Sequence, residues 1–203
     1  MTFPPTSSLP PLFIKGDWLP ESLCTRLFEE SLASENDYVE AKVAYNRKRG
    51  ILKPSIVEPR IRQASKRKLP GEWTKIFADR VLAEKDDIAE ALGFRFPAQP
   101  HFQVEAVHTG DGGRFDIHID TLRGREKARV ITGVYYYSRA PLPFTGGELN
   151  LFSLDRRSSR GVAPTRNSIV FFSSIFPHEI APVRVPTGEF ADGRFSVNIW
   201  LSV

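Results

Sequence analysis

The chain has 203 residues, of which 41% are hydrophobic and 11% aromatic, enough to bury the core of a single domain. Its one cysteine, Cys24, excludes an internal disulfide framework, and the amino terminus shows neither a secretory leader nor a membrane span, which predicts a soluble, cytoplasmic protein without a membrane partner. The net charge of +4 permits an acidic partner but is too small to require nucleic acid.

Two amphipathic helices are predicted before about residue 95. Residues 21–35 carry leucines near one stripe, and residues 71–94 carry a longer apolar stripe at helical spacing. The first stripe consists of Leu23, Leu27 and Leu32, and the second of Trp73, Ile76, Phe77, Val81 and Leu82. The proline-bearing first dozen residues predict a loose arm, and the basic runs at 46–49 and 60–68 are expected to be solvated surface.

From about residue 100 the sequence breaks into short alternating segments separated by Gly, Pro, Asp and Ser. Six predicted strands cover residues 101–108, 114–120, 129–138, 147–153, 167–174 and 194–203. Short strands at regular spacing, with turn residues between them, are typical of an antiparallel sandwich or barrel. The sequence therefore predicts a mainly β protein with amino-terminal helices, in the α+β class.

The second predicted strand contains the stretch RFDIHIDT, in which a histidine stands two residues before an aspartate. Because side chains two apart on a strand share a face, His118 and Asp120 are predicted to point the same way, opposite to Phe115, Ile117 and Ile119. An imidazole and a carboxylate side by side can both bind one divalent metal ion, and a surface ion pair would leave the same pattern. A third ligand is needed to decide.

That third ligand is available after the predicted strand at 167–174. His178 lies about sixty residues beyond Asp120, and no histidine follows it. Two histidines and one carboxylate, with the first histidine and the acid two apart, make the facial triad that leaves three coordination positions open on a non-haem Fe(II). Oxygen chemistry requires open positions, so His118, Asp120 and His178 are the predicted metal ligands and catalytic centre.

Four motifs follow one another in the second half of the chain: His118-x-Asp120, TGGEL at 145–149, FFSSIFPHEIAPV at 171–183 and GRFSVNIW at 193–200. In this order they resemble the Fe(II)- and 2-oxoglutarate-dependent dioxygenases, specifically the prolyl-hydroxylase-like branch. The resemblance implies one domain over 1–203, with a double-stranded β-helix (jelly roll) at 100–203 and an arm and supporting helices, packed on the larger sheet, at 1–99. It also implies Fe(II), 2-oxoglutarate and O2, with ascorbate as a candidate stimulant.

The last predicted strand carries the candidate residues for 2-oxoglutarate. Arg194 and Ser196 share its polar face, and the planar fork of an arginine matches a carboxylate. The R-x-S motif of the family falls on these two residues and implies that they hold the distal carboxylate of 2-oxoglutarate, the alternative being an arginine paired with a buried acid. The resemblance gives Tyr136 a hydrogen bond to the same carboxylate. For His108 it leaves open a cosubstrate contact or a core histidine.

The activity implied by the resemblance is hydroxylation of an unactivated C–H bond, with release of succinate and CO2. The substrate is either a protein or peptide side chain, of prolyl type, or an amino-acid-like metabolite. Asp120 argues against halogenation, which needs a small residue in its place. Two alternatives remain: a non-enzymatic, cupin-like metal-binding or sensor module on the same fold, and, less favoured because the last strand lacks R-x-N-x-x-x-R, a nucleic-acid dealkylase.

Two loops bear on the prime substrate. The sixteen residues from His178 to Arg194 exceed the usual spacing of the family and predict an enlarged loop at 184–193. The segment TLRGREKAR leaves the metal-bearing strand directly, so Arg123 and Arg125 are predicted to favour an acidic prime substrate, with a solvated turn as the alternative. The glycines of GGEL suit a positive φ or a close backbone approach.

Overall fold

The computed structural model describes residues 8–43, 56–121 and 128–203. Within these ranges the chain forms three α-helices, α1 Glu21–Ala33, α2 Gly71–Ala83 and α3 Lys85–Leu92. None of these three helices is long and apolar enough to cross a membrane. The strands in the same ranges are β1 Phe13–Lys15, β2 Val39–Glu40, β3 Arg62–Gln63, β4 Ser65–Lys68, β5 His101–Thr109, β6 Arg114–His118, β7 Arg129–Tyr137, β8 Thr145–Gly146, β9 Leu149–Phe152, β10 Ser159–Val162, β11 Ser168–Ser173, β12 His178–Ile180, β13 Val183–Arg184 and β14 Arg194–Ser202.

The strands assemble into two large antiparallel sheets that face each other. The major sheet has the order β1-β11-β7-β14-β5-β4-β2 and the minor sheet the order β10-β9-β12-β6-β3, while β13 and β8 form a separate pair. Between the sheets lies an apolar layer from both, formed by Val134, Tyr136, Leu149, Leu151, Val162, Val170 and Phe172. Two facing sheets with helices on one side confirm the predicted jelly-roll class.

The helices cover the outer face of the major sheet. Trp18, Phe77 and Tyr135 pack their rings within 5.7 Å of one another, centroid to centroid, at the centre of this layer. The alternation of β14 turns Phe195, Val197, Ile199 and Leu201 toward the helices and leaves its polar face toward the minor sheet. The strand that carries the candidate 2-oxoglutarate residues is therefore clamped between two packed layers.

The helical prediction over 71–94 is wrong in one respect, because the structure divides this stretch at Glu84. The backbone there leaves the helical region (φ −111°, ψ 12°), and the carboxylate accepts hydrogen bonds from Lys15, Trp18 and Arg80 at 2.9–3.1 Å. A buried carboxylate needs such partners, so the break fixes α2 and α3 to the end of β1. Leu82, placed in the apolar stripe by sequence, is 41% exposed.

All six strands predicted from the sequence are present, with ends that differ by a few residues. The prediction missed the short strands, four of which, β1 to β4, precede residue 100 and join the same two sheets. Strands of two to four residues are too short to show an alternating pattern. The division of the chain at residue 99 stays a prediction.

Candidate active site

Two neighbouring strands of the minor sheet bring the three predicted metal ligands together. His178 opens β12 and pairs in register with His118 at the end of β6. Asp120 follows β6 in a turn whose shape is held by hydrogen bonds from the backbone N–H groups of Asp120 and Thr121 to the carbonyl of Ser174, both 3.2 Å. One nitrogen of each histidine and one carboxylate oxygen lie within 4.8 Å of one another. All three side chains are at least half-buried, which argues against a surface ion pair.

The pairing of β6 with β12 contains a bulge that the sequence did not predict. His178 pairs with His118, but Ile180 pairs with Phe115, so between these pairs two residues of β6 oppose one of β12. As a result the Phe115 ring stacks on the His118 ring, with centroids 3.6 Å apart and an interplanar angle of 20°. The prediction that Phe115 lies on the face opposite to His118 is therefore wrong.

Both histidines present the same nitrogen to the centre of the site. The Nδ1 atom of His118 lies 2.9 Å from the carbonyl oxygen of Asp116, and that of His178 lies 3.0 Å from the carbonyl oxygen of Phe176. Because a carbonyl only accepts, Nδ1 of each ring carries the proton and Nε2 keeps its lone pair. The Nε2 atoms lie 3.9 Å (His118) and 3.6 Å (His178) from the Asp120 carboxylate.

The Asp120 carboxylate is oriented by two donors from the major sheet. Trp200 Nε1 and Thr132 Oγ1 both donate to Oδ2 at 2.8 Å, and Ser174 Oγ in turn donates to Thr132 Oγ1 at 2.8 Å. Arg129 Nη1 lies 3.8 Å from Oδ1 and its guanidinium stacks on the Trp200 ring. Such outer partners fix a metal-binding carboxylate in one orientation. The sequence analysis did not identify Trp200, Thr132, Ser174 or Arg129 as site residues.

The electrostatics of the three residues suit a cation. Burial opposes ionisation of Asp120, but the two histidines and the Trp200 hydrogen bond outweigh it and hold its pKa below the ordinary value. Burial, followed by the charge of His178, lowers the pKa of His118 to about 3. At neutral pH the site is thus a carboxylate beside a neutral imidazole, which is the protonation state that a metal ion requires of its ligands.

Arg194 lies at the bottom of the same cleft and is only 2% exposed. Its Nε donates to the carbonyl oxygen of Gly147 at 2.9 Å and its Nη1 to Ser196 Oγ at 3.2 Å. Its Nη2 is buried and makes no hydrogen bond within the described residues. Burial lowers the pKa of this guanidinium, partly offset by nearby Tyr136. A buried cation with an unused donor is costly unless an anion pairs with it.

Tyr136 lies beside Arg194, on the neighbouring strand of the major sheet. It pairs in register with Ser196, and the Arg194 guanidinium lies 5.0 Å from the centre of its ring. Its hydroxyl is buried and has no hydrogen-bond partner among the described residues, and burial raises its pKa. Two unused buried donors side by side fit the distal carboxylate of 2-oxoglutarate, and three convergent ligand atoms fit Fe(II).

The two clusters open into one cleft of about 1090 Å³ between the sheets. His118, Asp120 and His178 line its middle, and Arg194 and Ser196 line it from the major sheet. The volume is slightly above the range typical of small-molecule pockets. The cleft therefore has space for a second molecule beside 2-oxoglutarate.

Residues 102–202, which carry both clusters, match the 2OG-Fe(II) oxygenase superfamily. The chain belongs to this superfamily. An uncharacterised PKHD-type hydroxylase of Synechocystis sp. is 30% identical over 142 residues, which are 66% of this chain and 46% of the relative. The chain thus spans less than half the length of that curated relative. The predicted family is confirmed, and with it the cofactor Fe(II) and the cosubstrates 2-oxoglutarate and O2.

Solved structures of prolyl hydroxylases share the fold of this superfamily member over 95% of its length. The prolyl-4-hydroxylase of Pseudomonas putida has a TM-score of 0.64 at 19% identity, over 95% of this chain and 92% of that chain. A prolyl hydroxylase of Trichoplax adhaerens, in complex with a peptide fragment of the hypoxia inducible factor oxygen degradation domain, has a TM-score of 0.70 at 18% identity, over 95% and 83%. The viral collagen prolyl hydroxylase of Paramecium bursaria Chlorella virus-1, in its 2OG complex, has a TM-score of 0.62 at 14% identity, over 95% of this chain and 96% of that chain.

In this oxygenase His108 faces the helices and not the cleft. Its Nε2 lies 3.0 Å from the carbonyl oxygen of Phe190, and its ring stacks on the Phe190 ring at 4.1 Å and approaches Phe195 at 4.8 Å. Burial lowers its pKa to about 4, so the ring is neutral and donates through Nε2. His108 is a core histidine that holds the 184–193 loop, within which residues Phe190–Asp192 form a 3-10 turn.

Of the basic segments that the sequence predicted to be surface or substrate contacts, the structure describes only the run at 60–68 in full. The run at 46–49 and the residues Arg123 and Arg125 lie outside the described residues, so their roles stay predictions. The run at 60–68 contains β3 and β4, and Arg62 and Lys66 line the cleft of the oxygenase. The expectation that this run is plain solvated surface is therefore wrong.

Proposed function

We propose that this chain is an Fe(II)- and 2-oxoglutarate-dependent hydroxylase that acts on a side chain of a peptide or protein. The observation that carries the proposal is a pair of unused buried donors: Arg194 Nη2, whose side chain lines the cleft that also holds the His118, Asp120 and His178 cluster, and the hydroxyl of Tyr136 beside it. A metal-binding module without a cosubstrate gives no reason for a buried cation without an anion. A carboxylate ligand supplies that reason.

In this proposal the Nε2 atoms of His118 and His178 and the Asp120 carboxylate hold the iron. Trp200 and Thr132 hold Asp120 by its Oδ2 atom, 2.8 Å from each donor. When bound, Fe(II) and 2-oxoglutarate supply the oxidising chemistry, in which O2 is consumed, 2-oxoglutarate becomes succinate and CO2, and one oxygen atom enters a C–H bond. The protein binds, orients and shields these groups.

Arg194, Ser196 and Tyr136 have the second role, binding the distal carboxylate of 2-oxoglutarate. The Arg194 fork is preoriented, because Gly147 and Ser196 take two of its donors and leave Nη2 for a ligand. A charge-assisted hydrogen bond in a dry site is about twice as strong as a neutral one. These three residues therefore anchor the end of the cosubstrate that is remote from the iron.

A peptide substrate is the choice that the cleft supports best. Its volume of about 1090 Å³ leaves room beyond the cosubstrate. A fold neighbour, the Trichoplax prolyl hydroxylase, was solved with a peptide bound. We also propose that the protein is cytoplasmic, that ascorbate stimulates its activity, and that residues 1–203 form a single domain.

The test is the conversion of 2-oxoglutarate to succinate by the purified protein with Fe(II) under air. We expect slow turnover without a peptide and faster turnover when a pool of proline-containing peptides is added, with a mass gain of one oxygen in the products. His118→Ala, Asp120→Ala and His178→Ala should each abolish turnover and leave the circular dichroism spectrum unchanged. Arg95→Ala, which changes an exposed residue outside the cleft, is the control.

Full activity in His178→Ala would contradict the proposed ligand set. Absence of succinate in the wild type, together with stoichiometric metal binding, would favour the cupin-like alternative. Oxidation of an alkylated oligonucleotide in preference to every peptide would favour the dealkylase.

A further inference from the structure

Apart from the proposed metal ligands and Arg194, most charged side chains that line the cleft are basic. Among the described residues, its remaining charged side chains are Lys42, Arg62, Lys66, Arg114, Arg129 and Glu105. Glu105 is the one acid of this set, and Lys66 pairs with it at 2.7 Å. A cleft with low-dielectric walls and an excess of one charge concentrates ligands of the opposite charge.

Arg62 is linked to one of the metal ligands through the ring of Phe115. Its guanidinium carbon lies 4.7 Å from the centre of the Phe115 ring, and the same ring stacks on His118 at 3.6 Å. The β6 bulge produces this stack, because it turns Phe115 to the side of His118. Arg62 is thus two contacts away from a proposed iron ligand.

The Arg62 side chain has an unused buried donor. Its Nε atom is buried and makes no hydrogen bond within the described part of the chain. Burial lowers the pKa of this guanidinium, and the charges of Glu105 and Asp120 oppose the change. A buried donor without an acceptor costs stability, and an anionic oxygen is the acceptor that offsets this cost best.

The other cations of the wall are already engaged or solvated. Arg114 donates to the carbonyl of Arg60 at 2.8 Å, and Arg129 donates to Gln103 at 2.8 Å and stacks on Trp200. Lys42 is exposed to solvent. Arg62 is therefore the residue with both the position and the free hydrogen-bonding capacity to take a ligand.

We infer that Arg62 binds an anionic group of the prime substrate, so that the enzyme selects peptides with a carboxylate or phosphate close to the residue that is oxidised. The inference rests on the proposed function, since it names what the second molecule in the cleft must carry. A glutamate or aspartate side chain and a phosphorylated serine offer the same chemistry, and the experiment separates them.

The test uses four fluorescein-labelled peptides with one central proline that differ only in the residues flanking it: glutamate, glutamine, lysine or phosphoserine. Their affinities are measured by fluorescence anisotropy with the protein, Fe(II) and 2-oxoglutarate under anaerobic conditions, so that binding is read without turnover. We expect the glutamate or the phosphoserine peptide to bind at least about tenfold more tightly than the glutamine peptide, and the lysine peptide to bind most weakly. The tighter of the first two identifies the source of the anion.

Charge reversal gives the readout that a merely structural role would not produce. Arg62→Gln should remove the preference for the anionic peptide, and Arg62→Glu should make the lysine peptide the tightest of the four. Arg95→Glu makes the same charge change at an exposed residue outside the cleft and should leave the order of affinities unchanged. Succinate formation without peptide is measured on each variant to show that the iron and 2-oxoglutarate sites remain intact.

Equal binding, or no binding, of the anionic and glutamine peptides by a wild-type protein that makes succinate would overturn the inference and leave the proposed function standing. Absence of succinate in the wild type would instead be a failure of the proposed function. An unlabelled single-stranded oligonucleotide is added as a competitor. The unlabelled form of the tightest-binding peptide is the reference competitor. If the oligonucleotide displaced the labelled peptide at a tenth of the concentration that this reference needs, the basic wall would be a nucleic-acid site and the inference would be wrong.

Discussion

Arg194 and Gly147 are in such close contact that a β-carbon on Gly147 would stand 2.7 Å from Cδ of Arg194. The glycine has a positive φ of 73°, and its carbonyl oxygen accepts the hydrogen bond from Arg194 Nε at 2.9 Å. Gly147 therefore accepts a hydrogen bond from Arg194 and, because it has no side chain, also leaves the room that the Arg194 side chain fills. The GGEL glycines, predicted from sequence to serve a positive φ or a close approach, serve both here.

The first prediction follows from that contact. Gly147→Ala should raise the Michaelis constant for 2-oxoglutarate severalfold, because the new methyl group displaces the Arg194 side chain. The control is Gly188→Ala, whose φ of 69° imposes similar backbone strain, while its β-carbon would meet nothing within 4 Å. Both variants should lose about 1 kcal/mol of folding free energy from the strain. A normal Michaelis constant in Gly147→Ala would show that Arg194 does not hold the cosubstrate.

The second prediction concerns the charge of Arg194. Removing a charge-assisted partner of a carboxylate costs roughly 1.5 to 3 kcal/mol, so Arg194→Ala should weaken 2-oxoglutarate binding at least about tenfold. Arg194→Lys should recover part of this loss, since the cation remains but the fork does not. Isothermal titration with 2-oxoglutarate under anaerobic conditions gives the affinities, with Arg95→Ala as the control. Unchanged affinity in Arg194→Ala would mean that the cosubstrate is anchored elsewhere.

The third prediction assigns Trp200 the role of a positioning residue for the metal. Trp200→Phe removes the 2.8 Å hydrogen bond to Asp120 and keeps an aromatic ring for Arg129 to stack on. Loss of such a partner typically lowers metal affinity by about 10- to 100-fold, and we expect a decrease of that size in an anaerobic Fe(II) titration. Trp73→Phe removes an indole hydrogen bond to Glu30 on the helical side and should leave Fe(II) affinity unchanged. Equal effects of the two substitutions would indicate a general loss of stability.

The fourth prediction is a pH dependence of folding stability that originates at His108. Its pKa of about 4 in the folded protein lies below the ordinary value of 6.5, because the ring is buried. The unfolded chain therefore takes up the proton first. The contribution of His108 to the free energy of unfolding is therefore fully present above pH 6.5. It decreases by roughly 3 kcal/mol in all as the pH falls toward 4.

His108→Gln keeps a donor for the Phe190 carbonyl but cannot be protonated. Between pH 6.5 and 4 its free energy of unfolding should fall less steeply than that of the wild type, by about one proton in the slope of a urea-denaturation series. His101→Gln, at an exposed position on β5, serves as the control. Parallel slopes for His108→Gln and the wild type would contradict the role given to His108.

The sequence predicted the parts of the site whose spacing follows from regular strands. The alternation of β14 placed Arg194 and Ser196 on the cleft face and Phe195 on the helix face, as the structure has them. The order of motifs led to His178 as the partner of His118 across about sixty residues. For β14 the local period of two was enough, because the strand keeps one register with β5 and β7 over most of its length.

The rest of the site depends on departures from regularity, which leave no trace in a local pattern. The β6 bulge moves Phe115 to the side of His118 and thereby places Arg62 near the metal ligands. The bond from Trp200 to Asp120 needs the relative position of two sheets, and no spacing along one strand contains it. Strands of two residues, such as β3, acquire their conformation from their neighbours and not from their own sequence.

The central position of β14 has a consequence for motion. This strand is hydrogen-bonded along most of its length to β5 and to β7, and most of its residues are buried. Amide protons in such a strand exchange with solvent only when the whole domain opens. We therefore expect Arg194, Ser196 and Trp200 to lie in the slowest-exchanging unit of the protein, and we expect the loops and edge strands, and not β14, to move when substrate enters.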